Sequence, residues 1–513
     1  MSRGSRCSSA SARHRCRLIL AAVATAVTWC FTAVDPAAAQ STDFAFTQYG
    51  TYYTIPNGPA RVWLPDTGTP LRGLMVFDNF APDNSSQPSF SKDPTAITAY
   101  RNAAAAMGFG LLTTPKSIDG LSADKTQQTI DGLLNAAATA TGRGQVANLP
   151  IVPIGFSGGG RDALRVGQRY PSRVITYVAN RITGEMVTEI QNNRPVSGVQ
   201  PGWQSVPGLF LAGAVDDNER PSWISASVMK GGPNNGTTRT AVGSAIREMG
   251  GLAALGVLPE RGHSDDHANA TISEGYEFSM YWIARNAAAR LPAGVASATP
   301  GNPVALTPLS KTSGWLGEAD RYQTVNDPYG AGDPLPDTRA GTSVFKPIAA
   351  YADFAGDKEA ASWMVDQDLA FAYRAALSND GGHHSRNSLR SGTPLLFTSI
   401  APLQNFDQGA VANLAINPRD FDDAIAISKM DFYDGATFLG SDTLGSDGWG
   451  ITVPLTEAGV RGLNVVATRD DGQMRAGFRA IAVQPTAVPE PASLSLLGLA
   501  ACGLLRRRGR TTR

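Results

Sequence analysis

The sequence predicts an α/β fold, with a mostly parallel sheet covered by helices on both faces, followed by a small all-β sandwich. Two observations predict this. From residue 48 to about residue 292, short apolar runs alternate with segments of helical periodicity, which is typical of a parallel sheet buried on both faces. From residue 394 to about residue 484, apolar and polar residues alternate, and Gly- and Asp-rich turns separate the runs, which indicates strands.

Each element of the first region, residues 42–292, is predicted from its own pattern. Apolar runs predict strands within 52–64 and at 71–77, 108–113, 149–154, 174–178, 208–215 and 252–258. Apolar residues at helical spacing predict helices at 94–107, 126–140, 161–170 and 271–290. Strands and helices in this alternating order predict one α/β domain.

Residues 293–393 separate the two predicted domains. Residues 292–308 are rich in Ala, Gly, Thr and Pro, which is typical of a linker. A helix is predicted at 358–377, where large apolar residues recur. The flanks of this helix are rich in Gly, Pro and Asp, and they leave three roles open for residues 310–392: packing on the first domain, a lid, or a spacer.

A Gly-x-Ser-x-Gly motif stands where a predicted strand meets a predicted helix. It reads Gly155-Phe156-Ser157-Gly158-Gly159. Glycines beside Ser157 allow a tight strand-to-helix turn that presents a strained, exposed hydroxyl. The backbone N–H groups that follow, at a helix N-terminus, would face an oxyanion on a substrate. A phosphate-binding loop and an ordinary turn are the alternatives, and the strand–turn–helix context favours a nucleophile.

The motif and the elements around it resemble secreted α/β-hydrolases of the serine esterase kind, over roughly residues 50–292. The resemblance implies the α/β-hydrolase fold. It also implies acyl-enzyme chemistry, in which Ser157 attacks an ester carbonyl, a base moves the proton, and water releases the acid. It implies no metal and no organic cofactor. The ester is expected on a small molecule or on a polymer, such as a polysaccharide ester or a polyester.

The resemblance also places the acid and the base after late strands, in the chain order Ser, acid, His. The base is predicted to be His263, which follows the strand at 252–258 in a Gly-His pair, with His267 as the alternative. His383 and His384 stand in a Gly-, Asn- and Ser-rich loop, where a solvated pair is expected.

The acid is predicted to be Asp216, in a Gly-x-x-Asp pattern at the end of a predicted strand. The adjacent Asp217 is the first alternative and Glu185 the second. One oxyanion donor is predicted to be the backbone N–H of Gly158. The other is predicted at Asn79, where an Asp-Asn pair replaces the His-Gly of many relatives.

The hairpin predicted at 430–443 resembles the central hairpin of bacterial Ig-like domains. It reads Met-Asp-Phe-Tyr-Asp-Gly-Ala-Thr-Phe-Leu-Gly-Ser-Asp-Thr. The resemblance implies an Ig-like sandwich at 394–485 that has no disulfide. A spacer is the favoured role of this domain, and contact with carbohydrate is the alternative.

The first 39 residues predict a signal peptide. Five arginines precede an apolar stretch at 18–34, and Ala37-Ala38-Ala39 offers a cleavage site for signal peptidase. The sequence therefore predicts export across the inner membrane. A permanent N-terminal membrane anchor is the less favoured alternative.

The last residues, 488–513, resemble the PEP-CTERM sorting signal of Gram-negative bacteria. Val488-Pro489-Glu490-Pro491 precedes an apolar stretch at 492–505 and an arginine cluster at 506–510. The resemblance implies transient membrane association, removal of the tail by an exosortase-type enzyme, and a product that is extracellular or at the cell surface. An amphipathic helix packed on the protein is the alternative.

Composition excludes some classes of function once the two terminal segments, 1–39 and 488–513, are set aside. All four cysteines lie in the two terminal segments, so a disulfide and a catalytic thiol are excluded between them. The whole chain has 44 basic and 44 acidic residues, but ten of the arginines and only two acids lie in the terminal segments. The intervening chain is therefore acidic, which disfavours nucleic acid as a partner.

Two other functions compete with the serine hydrolase. His263, Asp265, Asp266 and His267 stand within five residues and could serve a metal-dependent hydrolase. A non-catalytic surface or matrix protein could also keep a hydrolase fold, since a fold alone does not establish an activity. The simultaneous presence of Ser157, Asp216 and His263 favours the enzyme.

Overall fold

The apolar runs of the first region form one eight-stranded sheet in the computed structural model. The structure describes residues 50–54, 60–66, 70–78, 94–114, 117–120, 122–156, 158–180, 198–213, 233–234, 237–238, 242–258, 274–292, 303–317, 347–376, 395–418, 426–472 and 474–486. The strands of the large sheet are β1 (Gly50–Thr54), β2 (Arg61–Pro65), β3 (Gly73–Asp78), β4 (Phe109–Thr114), β5 (Ile151–Phe156), β6 (Tyr177–Asn180), β7 (Gly208–Gly213) and β10 (Ala253–Leu258). A two-stranded hairpin, β8 (Pro233–Asn234) and β9 (Thr237–Thr238), precedes β10 in the chain.

The strands lie in the order β1-β2-β4-β3-β5-β6-β7-β10 across the sheet. The pairs from β4 to β10 are all parallel, and β2 pairs antiparallel with both β1 and β4. β3 and β6 are buried along their whole length, as expected of parallel strands covered on both faces. The predicted α/β class is confirmed, and the sheet fits an α/β-hydrolase fold.

In the part of the chain that the structure describes, four helices lie between strands of the large sheet in the chain, and a fifth follows its last strand. They are α1 (Pro94–Met107), α2 (Ala123–Thr141), α3 (Gly158–Arg169), α4 (Val242–Glu248) and α5 (Glu274–Arg290). Ser122 begins α2 by accepting a hydrogen bond from the Lys125 N–H, and Gly142 ends it in the left-handed conformation. Within the described ranges, none of the helices is both long and apolar enough to cross a membrane.

Two predicted elements differ from the structure. The strand predicted at 174–178 forms three residues later, as β6, and Val174 makes only an isolated bridge with Ile151. The helix predicted at 358–377 is wrong in its first half, because residues 362–364 form a strand. Its second half is α6 (Gln367–Ala376).

Residues 303–376 pack against the large sheet. β11 (Trp315–Gly317), β12 (Ile348–Ala350) and β13 (Ser362–Met364) form an antiparallel sheet in the order β12-β11-β13. The Ser362 hydroxyl accepts a hydrogen bond from the Leu255 N–H at 2.9 Å, and the Tyr373 hydroxyl donates to the Leu255 carbonyl at 2.5 Å. This small sheet and α6 therefore cover the edge strand β10.

The C-terminal region forms two stacked sheets. One contains β14 (Leu395–Phe397), β16 (Val411–Pro418) and β19 (Trp449–Pro454). The other has the order β15-β21-β20-β17-β18 and contains β15 (Gln404–Asp407), β17 (Ile427–Asp434), β18 (Thr437–Asp442), β20 (Gly459–Arg469) and β21 (Met474–Gln484). Met430, Phe432 and Leu463 belong to the apolar cluster of this region. The predicted hairpin forms as β17 and β18. The region is all-β, and its Ig-like character stays a prediction.

The β-sandwich and the α/β region share an apolar core. Phe278 and Tyr281 of α5 contact Phe478 of β21, with ring centroids 6.0 and 5.7 Å apart. The fully buried Glu277 forms an ion pair with Arg479 at 3.1 Å and accepts a hydrogen bond from the Ala480 N–H. The sandwich therefore covers one face of α5 and is part of the same packed body.

Candidate active site

The sharp turn between β5 and α3 is the centre of the candidate site. β5 ends at Phe156 and α3 begins at Gly158, so a single residue, Ser157, separates the strand from the helix. A Cβ atom on Gly155 would lie 1.9 Å from the carbonyl oxygen of Gly159. Only glycine allows the strand to approach the first turn of the helix this closely.

A second glycine brings α3 against the neighbouring strand. A Cβ atom on Gly160 would lie 3.1 Å from the carbonyl oxygen of Asn180, the last residue of β6. The helix therefore starts in close contact with the sheet. Its first N–H groups, beginning with that of Gly158, lie at the carboxyl edge of the parallel strands, where α/β proteins bind ligands.

Several predicted site residues follow strands that end at this same edge. β3 pairs with β5, and Asp78 lies opposite Gly155. The chain therefore leaves the sheet toward Asn79 and toward Ser157 from adjacent strands. β7 pairs with β10, and Gly213 lies opposite Leu258. The chain therefore reaches residues 216 and 263 from this edge as well, after three and five residues.

These separations are small enough for the three predicted catalytic residues to meet. Neighbouring strands lie about 4.8 Å apart, so β7 and β10 are roughly 10 and 14 Å from β5. An extended chain covers about 3.3 to 3.6 Å per residue. The segments after β7 and β10 can thus span the distance to the turn at Ser157.

The side chains that would carry out the chemistry lie outside the described residues. These are Ser157, Asp216, His263 and Asn79, together with the alternatives Asp217, Glu185, His267, Asp265, Asp266, His383 and His384. Gly158 is described, as the first residue of α3. Within the described ranges no group of three or more His, Cys, Asp or Glu side chains could hold a metal ion.

A polar network that the sequence analysis missed fixes α3 to the loop after β4. The carboxylate of Asp119 accepts hydrogen bonds from the guanidinium groups of Arg165, at 2.9 Å, and Arg169. The buried carboxylate of Asp162 accepts hydrogen bonds from the Ser117 hydroxyl at 2.6 Å and from Arg161 at 3.1 Å. The loop and the helix that follows Ser157 are therefore held together at two points.

Burial and the neighbouring guanidinium groups change the pKa of Asp119 in opposite directions. Burial raises the pKa of its carboxyl group above the usual range, and the guanidinium groups of Arg169 and Arg165 lower it. A sequence signal for this network did exist. Arg161, Arg165 and Arg169 recur at intervals of four residues, which places three guanidinium groups on one face of a helix.

Similar solved structures include esterases and fibronectin(III)-like modules. Esterase PE8 is 17% identical, with a TM-score of 0.25, and the match covers 40% of this chain and 90% of that one. Est1E from Butyrivibrio proteoclasticus is 10% identical, with a TM-score of 0.27, over 46% of this chain and 96% of that one. The fibronectin(III)-like modules of Clostridium thermocellum CbhA are 22% identical, with a TM-score of 0.16, over 18% of this chain and 99% of that one. No family model matches the chain, and no curated protein matches it.

Proposed function

We propose that this protein is a serine hydrolase that cleaves carboxylic esters. The observation that carries the proposal is the turn at Ser157, where one residue separates a buried parallel strand from a helix. The close approach of Gly155 to Gly159 supports it, since that contact makes the turn tight. A serine held in such a turn presents its hydroxyl above the sheet, where a substrate can reach it.

The proposed mechanism has two steps. Ser157 Oγ attacks the ester carbonyl while His263 takes its proton, and Asp216 orients the imidazole. The tetrahedral oxyanion accepts hydrogen bonds from the N–H groups of Gly158 and Asn79. The alcohol leaves with the proton from His263, and water then attacks the acyl-enzyme by the same route and releases the carboxylic acid.

The setting of this reaction is also a proposal. Export through a signal peptide at 1–39 and processing of the tail at 488–513 would place the enzyme outside the inner membrane. There its substrate would be an ester on a small molecule or on an extracellular polymer.

A fluorophosphonate probe tests the mechanism directly, because it reacts with an activated serine hydroxyl. The exported chain, starting at Gln40, is expected to be labelled on the peptide that contains Ser157. Ser157→Ala is expected to lose both the label and the hydrolysis of short acyl esters, while the matched control Ser205→Ala keeps both. An unlabelled protein, or full hydrolysis by a folded Ser157→Ala variant, would reject the proposal.

A further inference from the structure

A cleft lies between the α/β region and the β-sandwich. Its volume is about 540 Å³, within the range of small-molecule binding sites, which often lie at domain interfaces. The walls come from both regions, and they include Arg72, Tyr281, Arg285, Asp368, Asp434 and Arg461. Residues of β20 and of the turns beside it complete the rim.

The cleft is at the opposite edge of the large sheet from the turn at Ser157. Arg72 directly precedes β3, and Phe109 begins β4, so both lie at the amino ends of parallel strands. Ser157 follows the carboxyl end of β5. Six-residue strands span about 20 Å. A ligand in the cleft is therefore too far from Ser157 to present its reacting bond there.

Two of the three arginines in the cleft are already neutralised. Arg285 forms ion pairs with Asp366 at 2.7 Å and with Asp368 at 2.9 Å. Arg461 forms an ion pair with Asp434. Both arginines therefore have counterions, and the two clusters together carry one net negative charge.

Arg72 differs from these two arginines. It is half-buried, and none of the described carboxylates lies within ion-pair distance of its guanidinium group. Burial lowers the pKa of Arg72, and no acidic group in the described part of the chain offsets this effect. A partly buried charge without a counterion is unfavourable, and a carboxylate would compensate it through a bidentate hydrogen-bonded pair.

The rest of the wall favours a polar ligand over a fatty acyl chain. The aromatic residues that line the cleft present almost no surface, since Phe109 and Tyr281 are 0% and 2% exposed, whereas Leu439 is partly buried. The hydroxyl-bearing Thr437 and Thr456 are exposed at the rim. The cleft therefore combines the cationic Arg72 with an exposed carboxylate, that of Glu457, and with hydroxyl groups that can hydrogen-bond to a sugar.

We propose that this cleft is a second binding site, which holds an acidic sugar by pairing its carboxylate with Arg72 and its hydroxyl groups with the polar rim. The site is separate from the proposed catalytic residues. Its occupation does not depend on ester hydrolysis.

Calorimetric titration of the exported chain with trigalacturonate tests this proposal. The acidic trisaccharide is expected to bind at least about tenfold more tightly than neutral galactotriose and than hexanoate, because only it offers both a carboxylate and hydroxyl groups. Ser157→Ala is expected to bind trigalacturonate as the wild type does. This variant separates the cleft from the catalytic site, so a failure of the hydrolase proposal would leave the binding result intact.

Arg72→Gln is expected to weaken trigalacturonate binding by about tenfold or more. The matched control Arg143→Gln, which removes a surface arginine outside the cleft, is expected to leave it unchanged. Arg72→Lys keeps the positive charge but not the planar guanidinium group. If the Arg72→Gln variant fails to fold, an intermediate affinity of the Arg72→Lys variant for trigalacturonate serves as the test. Absence of binding at millimolar trigalacturonate, equal binding of hexanoate, or undiminished binding by folded Arg72→Gln would overturn the proposal.

Discussion

Gly155 shows how one residue fixes the geometry of the proposed nucleophile. Gly155→Ala would place a methyl group 1.9 Å from the carbonyl oxygen of Gly159, so the first turn of α3 would have to move. A displacement of about 1 Å at the reacting groups costs roughly a hundredfold in rate. We expect Gly155→Ala to lose at least this factor in kcat/KM for a short acyl ester, as measured by steady-state hydrolysis.

Gly132 provides the matched control for this substitution. It lies within α2, and no atom would come within 4 Å of an added Cβ. Gly132→Ala should keep full activity and raise the free energy of unfolding by about 0.5–1 kcal/mol, because alanine restricts the unfolded chain. If Gly155→Ala hydrolysed esters as well as Gly132→Ala does, the turn at Ser157 would not be set by this contact.

His263 is the residue on which the choice of catalytic base depends. His263→Ala is expected to lower kcat for ester hydrolysis by at least about a thousandfold, since a serine without its base is a weak nucleophile. His383→Ala should have nearly wild-type kcat. The reverse pattern would assign the base to the later loop.

At the scale of elements, the loop after β4 anchors the helix that carries the proposed oxyanion donor. Asp119→Asn removes the carboxylate that two arginines of α3 share, and the Arg169 side chain is only 3% exposed. Weakening a buried ion pair from one side costs about 3 kcal/mol. We expect this loss in the free energy of unfolding, measured by urea denaturation, together with a lower kcat.

Asp124→Asn is the control for charge removal in the same part of the chain. Asp124 is exposed in the first turn of α2, where its interaction with the helix dipole contributes less than about 1 kcal/mol. Equal losses of stability in Asp119→Asn and Asp124→Asn would show that the network does not anchor α3.

The elements also show where sequence patterns stop being informative. Ser362–Met364 has the same apolar character as the helix that follows, and it becomes a strand because β11 is available as an antiparallel partner. At β6 the buried run begins before the strand, since Val174 and Ile175 are as buried as Tyr177. The apolar runs predicted which segments are buried. Backbone pairing decided which residues of each run form a strand.

At the scale of the whole molecule, the apolar core passes from the α/β region into the sandwich. Because α5 is covered by β21 and Glu277 is paired with Arg479, neither region keeps its packing without the other. We expect one calorimetric unfolding transition for the exported chain. Two separate transitions would mean that the regions unfold independently.

Glu277→Gln tests the contact that links the two regions. The substitution keeps the size of the side chain but removes the charge opposite Arg479, and it should cost about 3 kcal/mol of unfolding free energy. The exposed Glu359→Gln should change it by less than about 0.5 kcal/mol. A Glu277→Gln variant as stable as Glu359→Gln would contradict a structural role for the pair.

The sequence by itself determined the α/β class of the first region, its parallel strands, the all-β character of the last region, and the Gly-x-Ser-x-Gly turn. These features depend on local periodicity and on short-range backbone geometry, which neighbouring residues specify. Only the tertiary structure decided that residues 303–376 cover β10, that the sandwich packs on α5, and that a cleft with Arg72 lies between the two regions. Such contacts join residues more than a hundred positions apart, and no local pattern encodes which buried faces will meet.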